Sequence, residues 1–146
     1  MDRQAVLAAF DEQLRRHPAL DGHVEHDEGV IRSMSACGGW TGVAWCDLDH
    51  VNADVVIAAQ ISRFAERSRP WAWKHYSYDQ PPDLPDRLLA AGFTPQSAEA
   101  LLVAEIALGF RYLQVDASSA SRPIFQRLGF VELANTTPFT HPGGAS

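Results

Sequence analysis

A strand, a turn, a helix and a Gly-Phe pair occur twice in this chain of 146 residues. The first copy runs from Trp71 to Phe93, WAWKHYSYDQPPDLPDRLLAAGF, and the second from Phe110 to Phe130, FRYLQVDASSASRPIFQRLGF. Asp79 and Asp116, Gly92 and Gly129, and Phe93 and Phe130 all stand 37 residues apart, with Lys74 and Arg111 in the same register. Self-similarity at a fixed spacing marks a repeated supersecondary unit. Duplication of a strand-helix-strand unit is therefore the first expectation.

The periodicities around the repeat predict the remaining elements. Val6, Leu7, Phe10 and Leu14 recur at helical steps and predict a helix over 3–16. Pro18 ends it, because the residue before proline resists the helical region. Residues 21–27 and 30–36 read as strands around a Glu28-Gly29 turn, and Gly38-Gly39 turns into a third strand over 40–46. Asp49 or Asn52 is placed to cap a helix over 51–66, with Val51, Val55, Ala58 and Ile61 as its buried stripe and Ala59 and Phe64 as further members. Strand 71–78 puts Trp71, Trp73 and His75 on one face and Ala72, Lys74, Tyr76 and Tyr78 on the other. Asp83 is a candidate cap for helix 84–91, which Gly92 stops. Strand 99–107 follows. The second unit reads as strand 110–115, helix 120–128, stop Gly129 and strand 130–135, and the end of the chain is expected to fray.

Length favours one domain with a real core. The formal charge of −6 disfavours nucleic acid and anionic membranes as main partners, since both need a basic surface. No apolar run approaches the ~20 residues that span a bilayer. The N-terminal stretch carries acids among its apolar residues and reads as a helix, not a secretory signal. Cys37 and Cys46 form no CxxC pair, so both are expected to be small core residues in a reduced, cytoplasmic setting.

The element order is helix, antiparallel meander, helix, strand, helix, closing strand, and it is similar to that of the GNAT acetyltransferase superfamily. Two stretches carry the resemblance. YLQVDASSASRPIFQRLGFVEL resembles the end of the GNAT domain. WKHYSYDQPPDLPDRLLAAGF, with LLVAEI after it, resembles the matching region of the degenerate N-terminal half of tandem GNAT proteins. Together they cover about the last half of the chain. The resemblance implies an α/β (α+β) fold with a mixed, mostly antiparallel sheet flanked by helices. It implies a GNAT-like domain over 1–107, an appended strand-helix-strand over 108–137 resembling the end of a second, shortened domain, and a tail over 138–146. It also implies N-acetyl transfer from acetyl-CoA, as cosubstrate, to a small-molecule amine, without a metal.

The departures from the family pattern bear on catalysis. The family holds the acetyl-CoA pyrophosphate on a Q/R-x-x-G-x-G/A loop that opens a helix, where free N–H groups and the helix dipole meet the anion. The equivalent junction here, Cys46 to Asn52, has two carboxylates and no glycine. Ser119 falls at the family's Asn position. Phe125, with Leu88 in the first unit, falls at that of the tyrosine that acts as general acid, and neither can donate a proton. The chain is thus expected to be a weak or inactive acetyltransferase with no assignable catalytic residue. Ser119, Ser121 and Arg122 are the expected cofactor-binding groups, and the ligand is sought near Lys74–Tyr78 and Ser118–Arg122. The alternative is a non-catalytic GNAT-like module for binding or assembly, with a sheet edge that pairs a second copy into a homodimer.

Other polar groups read as structural. His23, His26, Asp27 and Glu28 lack a strong zinc spacing and suit a solvated edge. His75 is expected to be a core histidine rather than a general base, and Trp40, Trp45, Trp71 and Trp73 core residues rather than a cleft lining.

Overall fold

The computed structural model describes residues 2–18, 22–67, 69–106 and 111–144. Asp21, Ala107 and Phe110, three predicted strand ends, lie outside the described residues. Helix α1 (Arg3–Phe10) continues into a π-helical turn (Asp11–Arg15). Then come β1 (His23–Asp27), β2 (Val30–Met34), β3 (Gly42–Cys46), α2 (Ala53–Phe64), β4 (Trp71–Tyr76), α3 (Leu84–Ala90) and β5 (Thr94–Pro95). The chain closes with β6 (Glu99–Ile106), β7 (Arg111–Ala117), α4 (Arg122–Arg127) and β8 (Val131–His141).

The strands form one sheet in the order β1-β2-β3-β4-β8-β6-β7, with β5 also on β8. Every neighbouring pair is antiparallel except β3 and β4. This is the mixed, mostly antiparallel α+β sheet flanked by helices that the sequence implied. The segment read as appended supplies an edge strand, β7, and an interior strand, β8, which pairs with both β4 and β6.

The alternation along β4 sorts the core into two layers. Trp71 and Trp73 pack with Ile57 and Phe64 of α2, Leu84 and Leu88 of α3, and Phe93. Phe64 stacks on Trp71 at 4.1 Å between ring centroids. On the opposite face Tyr76 meets Phe10 of α1, with Leu101 and Ala134. Helix α4 covers Ala100, Leu102 and Ala117 with Phe125 and, just beyond it, Phe130.

The two Gly-Phe stops share one geometry. Gly92 and Gly129 have φ of 101° and 97°. Phe93 N–H donates to Leu88 C=O and Phe130 N–H to Phe125 C=O, each at 3.1 Å, the wide bond that closes a helix on a left-handed residue. The strand ends differ: Asp79 lies beyond β4, whereas Asp116 lies within β7.

Several local expectations are corrected. Helix α2 buries Ala53, Ile57, Gln60 and Phe64, whereas Val51 and Val55 are 74% and 71% exposed. Only Phe64 of the expected stripe is fully on the buried face, where it packs with Ile57 against Trp71 and Trp73; Gln60 lies on the same face and accepts from Arg32 at 2.6 Å. Cys37 is exposed, since it sits on a turn whose N–H groups at Cys37 and Gly39 bond Ser35 Oγ; Cys46 is buried. Asp83 makes no capping bond and takes Arg87 instead. The described stretch after residue 135 does not fray: β8 runs to His141, and Gly144 N–H bonds Arg67 C=O at 2.5 Å. No helix among the described residues is long and apolar enough to cross a membrane.

Candidate functional site

The parallel strands β3 and β4 pair at only two positions, Gly42 with Ala72 and Val43 with Trp73. A Cβ on Gly42 would fall 1.8 Å from Ala72 O, so this approach requires glycine. Beyond it the strands part, and side chains take over the backbone groups. Arg15 Nε–H donates to Ala44 C=O at 3.1 Å. Asp79 Oδ2 accepts from Tyr76 N–H at 2.9 Å. Arg15 Nη1 and Nη2 bond the two Asp79 oxygens at 2.9 Å each, with both side chains 3% exposed. The guanidinium also stacks 4.1 Å from the Tyr76 ring centroid. Tyr78 O–H donates to Asp11 at 2.5 Å and receives Arg15 Nη1 at 3.3 Å. A buried ion pair thus substitutes for the missing ladder bonds, and its hydrogen bonds offset part of its desolvation. The carboxylates nearby outweigh burial and hold the Arg15 pKa above its ordinary value.

The π-helical turn delivers this arginine. With ordinary α spacing, Leu14 would follow Phe10 onto the sheet. Arg16 N–H instead reaches back five residues to Asp11 C=O at 2.8 Å. The wider turn moves Arg15 inward and leaves Leu14 47% exposed. Leu14 is therefore not part of the buried stripe that the sequence suggested.

Beside Arg15 a cleft of about 590 Å³ opens on the α1 face of the sheet. Its floor includes Ala44, Ala72, Lys74 and Tyr76, with Pro138 and Thr140 of β8. Phe10, Leu14 and Trp40 form apolar walls, and Gln96, Glu99 and Gln114 line the rest. Trp40 is 43% exposed and precedes β3, so it is a cleft residue rather than core. Lys74 reaches across β8 and β6 to bond Asp116 at 2.6 Å. Burial lowers the Lys74 pKa, but Tyr76 and Asp116 outweigh it and leave it raised. Burial, against the pull of Lys74, raises that of Tyr76. Glu99 makes no ion pair among the described residues. The cleft is mostly apolar with a few convergent polar groups, the usual composition of a small-molecule site.

Two stretches singled out in the sequence line different cavities. Lys74 and Tyr76 belong to the cleft, whereas Ser119 and Arg122 line a neighbouring cavity of about 340 Å³ with Asn135 and Thr137, and Glu99 lines both. Ser118 Oγ accepts from Ser121 N–H at 3.2 Å, and Arg122 lies 3.5 Å from Glu132. Ser118 and Ser121 bond each other, and Arg122 faces Glu132 in a partly exposed ion pair.

At the β3–α2 junction, Asp49 Oδ1 accepts from Val51 N–H and Asn52 N–H, both at 2.8 Å. Those bonds hold its carboxyl below the usual range. The carboxylate thus takes donors that an anion would need at this helix entrance, and the pyrophosphate of acetyl-CoA does not fit there. His75 is buried beside Phe139, which lowers its pKa. His23 pairs with Glu25 on the edge strand β1. No group of three metal-ligating side chains occurs among the described residues.

The sequence pointed to Lys74, Tyr76 and Tyr78 by strand alternation. Arg15, Glu99 and Gln114 carried no local signal, because each enters through the packing of a distant element. No protein-family model, no curated protein and no solved structure matches the chain.

Proposed function

We propose that the chain is a GNAT-like module that binds a small amine with an apolar body in the cleft beside Trp40, without acetyl-CoA chemistry. The cleft carries this reading. Trp40, Phe10 and Tyr76 offer apolar and aromatic contact. Glu99, the lining carboxylate without an ion-pair partner among the described residues, supplies the charge that selects a cation. The Asp49 cap favours binding over acetyl transfer. So do Phe125 and Leu88, which cannot serve as general acids. An exposed free thiol at Cys37 supports a reducing, cytoplasmic setting.

Two titrations test the proposal. Primary amines with aromatic bodies are expected to change tryptophan fluorescence saturably in the native chain and not in Trp40→Ala. Acetyl-CoA at millimolar concentration is expected to give no saturable heat. Acetyl-CoA binding with transfer to any of those amines would restore the acetyltransferase reading.

A second reading, assembly, is favoured by one observation. Strand β7 is a sheet edge and carries Leu113, 54% exposed. Light scattering decides it: a dimer that Leu113→Lys dissociates supports pairing through this edge.

A further inference from the structure

Among the charged side chains of this acidic protein, two arginines on one turn stand out. Arg67 and Arg69, between α2 and β4, make no ion pair among the described residues. Arg15, Arg16, Arg32, Arg63, Lys74, Arg87 and Arg122 each have a carboxylate, and Arg3 and Arg127 each bond a backbone carbonyl. Arg67 and Arg69 line a cavity of about 300 Å³ with Ser35, Gly38, Thr41 and Glu66. Within this arrangement Arg67 Nε is buried and has no hydrogen-bond partner among the described residues. A buried, unpaired guanidinium N–H leaves its desolvation uncompensated, which calls for an acceptor that the described residues do not supply.

The surroundings are built for one. Thr41 is buried, and its Oγ1 already accepts from Ser35 N–H at 3.0 Å, which leaves its O–H to donate. The turn is clamped from behind by the end of the chain. A Cβ on Gly144 would lie 1.9 Å from Ala65 O, and one on Gly143 2.4 Å from Arg69 O. Glycines here let the backbone close on the turn and fix the arginines in place. Glu66 does not neutralise them: its side chain is 83% exposed and lies 3.7 Å from Arg63.

We infer that this turn binds a small phosphate monoester, whose dianion matches two guanidinium groups and a hydroxyl. The site is separate from the cleft and does not depend on how the cleft is used. Inorganic phosphate titrated calorimetrically into the whole chain, against chloride at matched ionic strength, tests it. Saturable binding is expected. Arg69→Gln should weaken it roughly tenfold, since it removes one charge-assisted contact. Arg69 is exposed, so this variant should fold, as circular dichroism can verify. Glu66→Gln should tighten binding about two- to threefold by removing a like charge from the rim. Phosphate acting no better than chloride, or a constant unmoved by both variants, would overturn the site. Vesicles of phosphatidic acid are expected not to carry the protein down on sedimentation. Sedimentation with vesicles, without binding of free phosphate, would overturn the small-ligand assignment.

Discussion

Arg15 and Asp79 lie 64 residues apart and meet through two parallel N–H···O bonds of 2.9 Å, in the gap where β3 and β4 separate. Each also holds a backbone group of the strand it faces, Ala44 C=O for Arg15 and Tyr76 N–H for Asp79. The pair therefore ties α1, β3 and β4 together at the head of the cleft.

Removing one member strands the other charge in a buried site. Arg15→Ala or Asp79→Ala is expected to cost about 3–5 kcal/mol, read as a lower urea midpoint. The double variant Arg15→Met with Asp79→Leu should recover part of this. About 1–3 kcal/mol should remain, because Ala44 C=O and Tyr76 N–H lose their partners. A double variant as damaged as the sum of the singles would contradict this account.

The two Gly-Phe stops are expected to respond alike. Gly92→Ala and Gly129→Ala should each lose about 1 kcal/mol, since both glycines have positive φ and an added Cβ meets nothing within 4 Å. Denaturant midpoints of the two variants should agree closely. A large difference would mean that surroundings, not backbone strain, set the cost.

The positions five residues before the repeated phenylalanines should respond differently. Leu88 is fully buried, and Leu88→Ala should cost about 2–5 kcal/mol. Phe125 is only half-buried, so Phe125→Ala should cost less than about 2 kcal/mol despite removing a larger ring. Equal losses would contradict the burial difference between the copies.

Glu25 gives the fold an acid-sensitive contact. Its bond from Arg63, with others from His23 and Arg32, outweighs burial and holds its carboxyl from an ordinary 4.5 down to about 2. A folded-state pKa below the unfolded value stabilises above the unfolded value. That stability is lost as pH falls through the folded one. Chemical denaturation from pH 6 to 2 should therefore show native chain and Glu25→Gln converging as pH falls from about 4.5 toward 2. A gap that stays constant across that window would refute the linkage.

Much of the fold was legible where local chemistry decides it. The Glu28-Gly29 hairpin, the Gly92 and Gly129 stops and the two faces of β4 follow from φ preferences and from side-chain alternation within a few residues. In the stripe of α2 Phe64 is buried as expected, but Gln60, a polar residue, also faces inward, where it meets Arg32 of another element. Leu14 was misread because one wide helical turn changes which residue faces the sheet.

The sequence alone determined the repeat, the element types and the acid, Asp49, that caps the junction after β3. Only the tertiary structure decided that β8 enters between β4 and β6, that Lys74 meets Asp116 and that Arg15 closes the gap at Asp79. It also placed Ser119 and Arg122 in a cavity that adjoins the cleft at Glu99. These outcomes depend on which distant strands pair and in what register. Pairing is selected by the total burial and hydrogen bonding of the whole sheet, which no short stretch of sequence encodes.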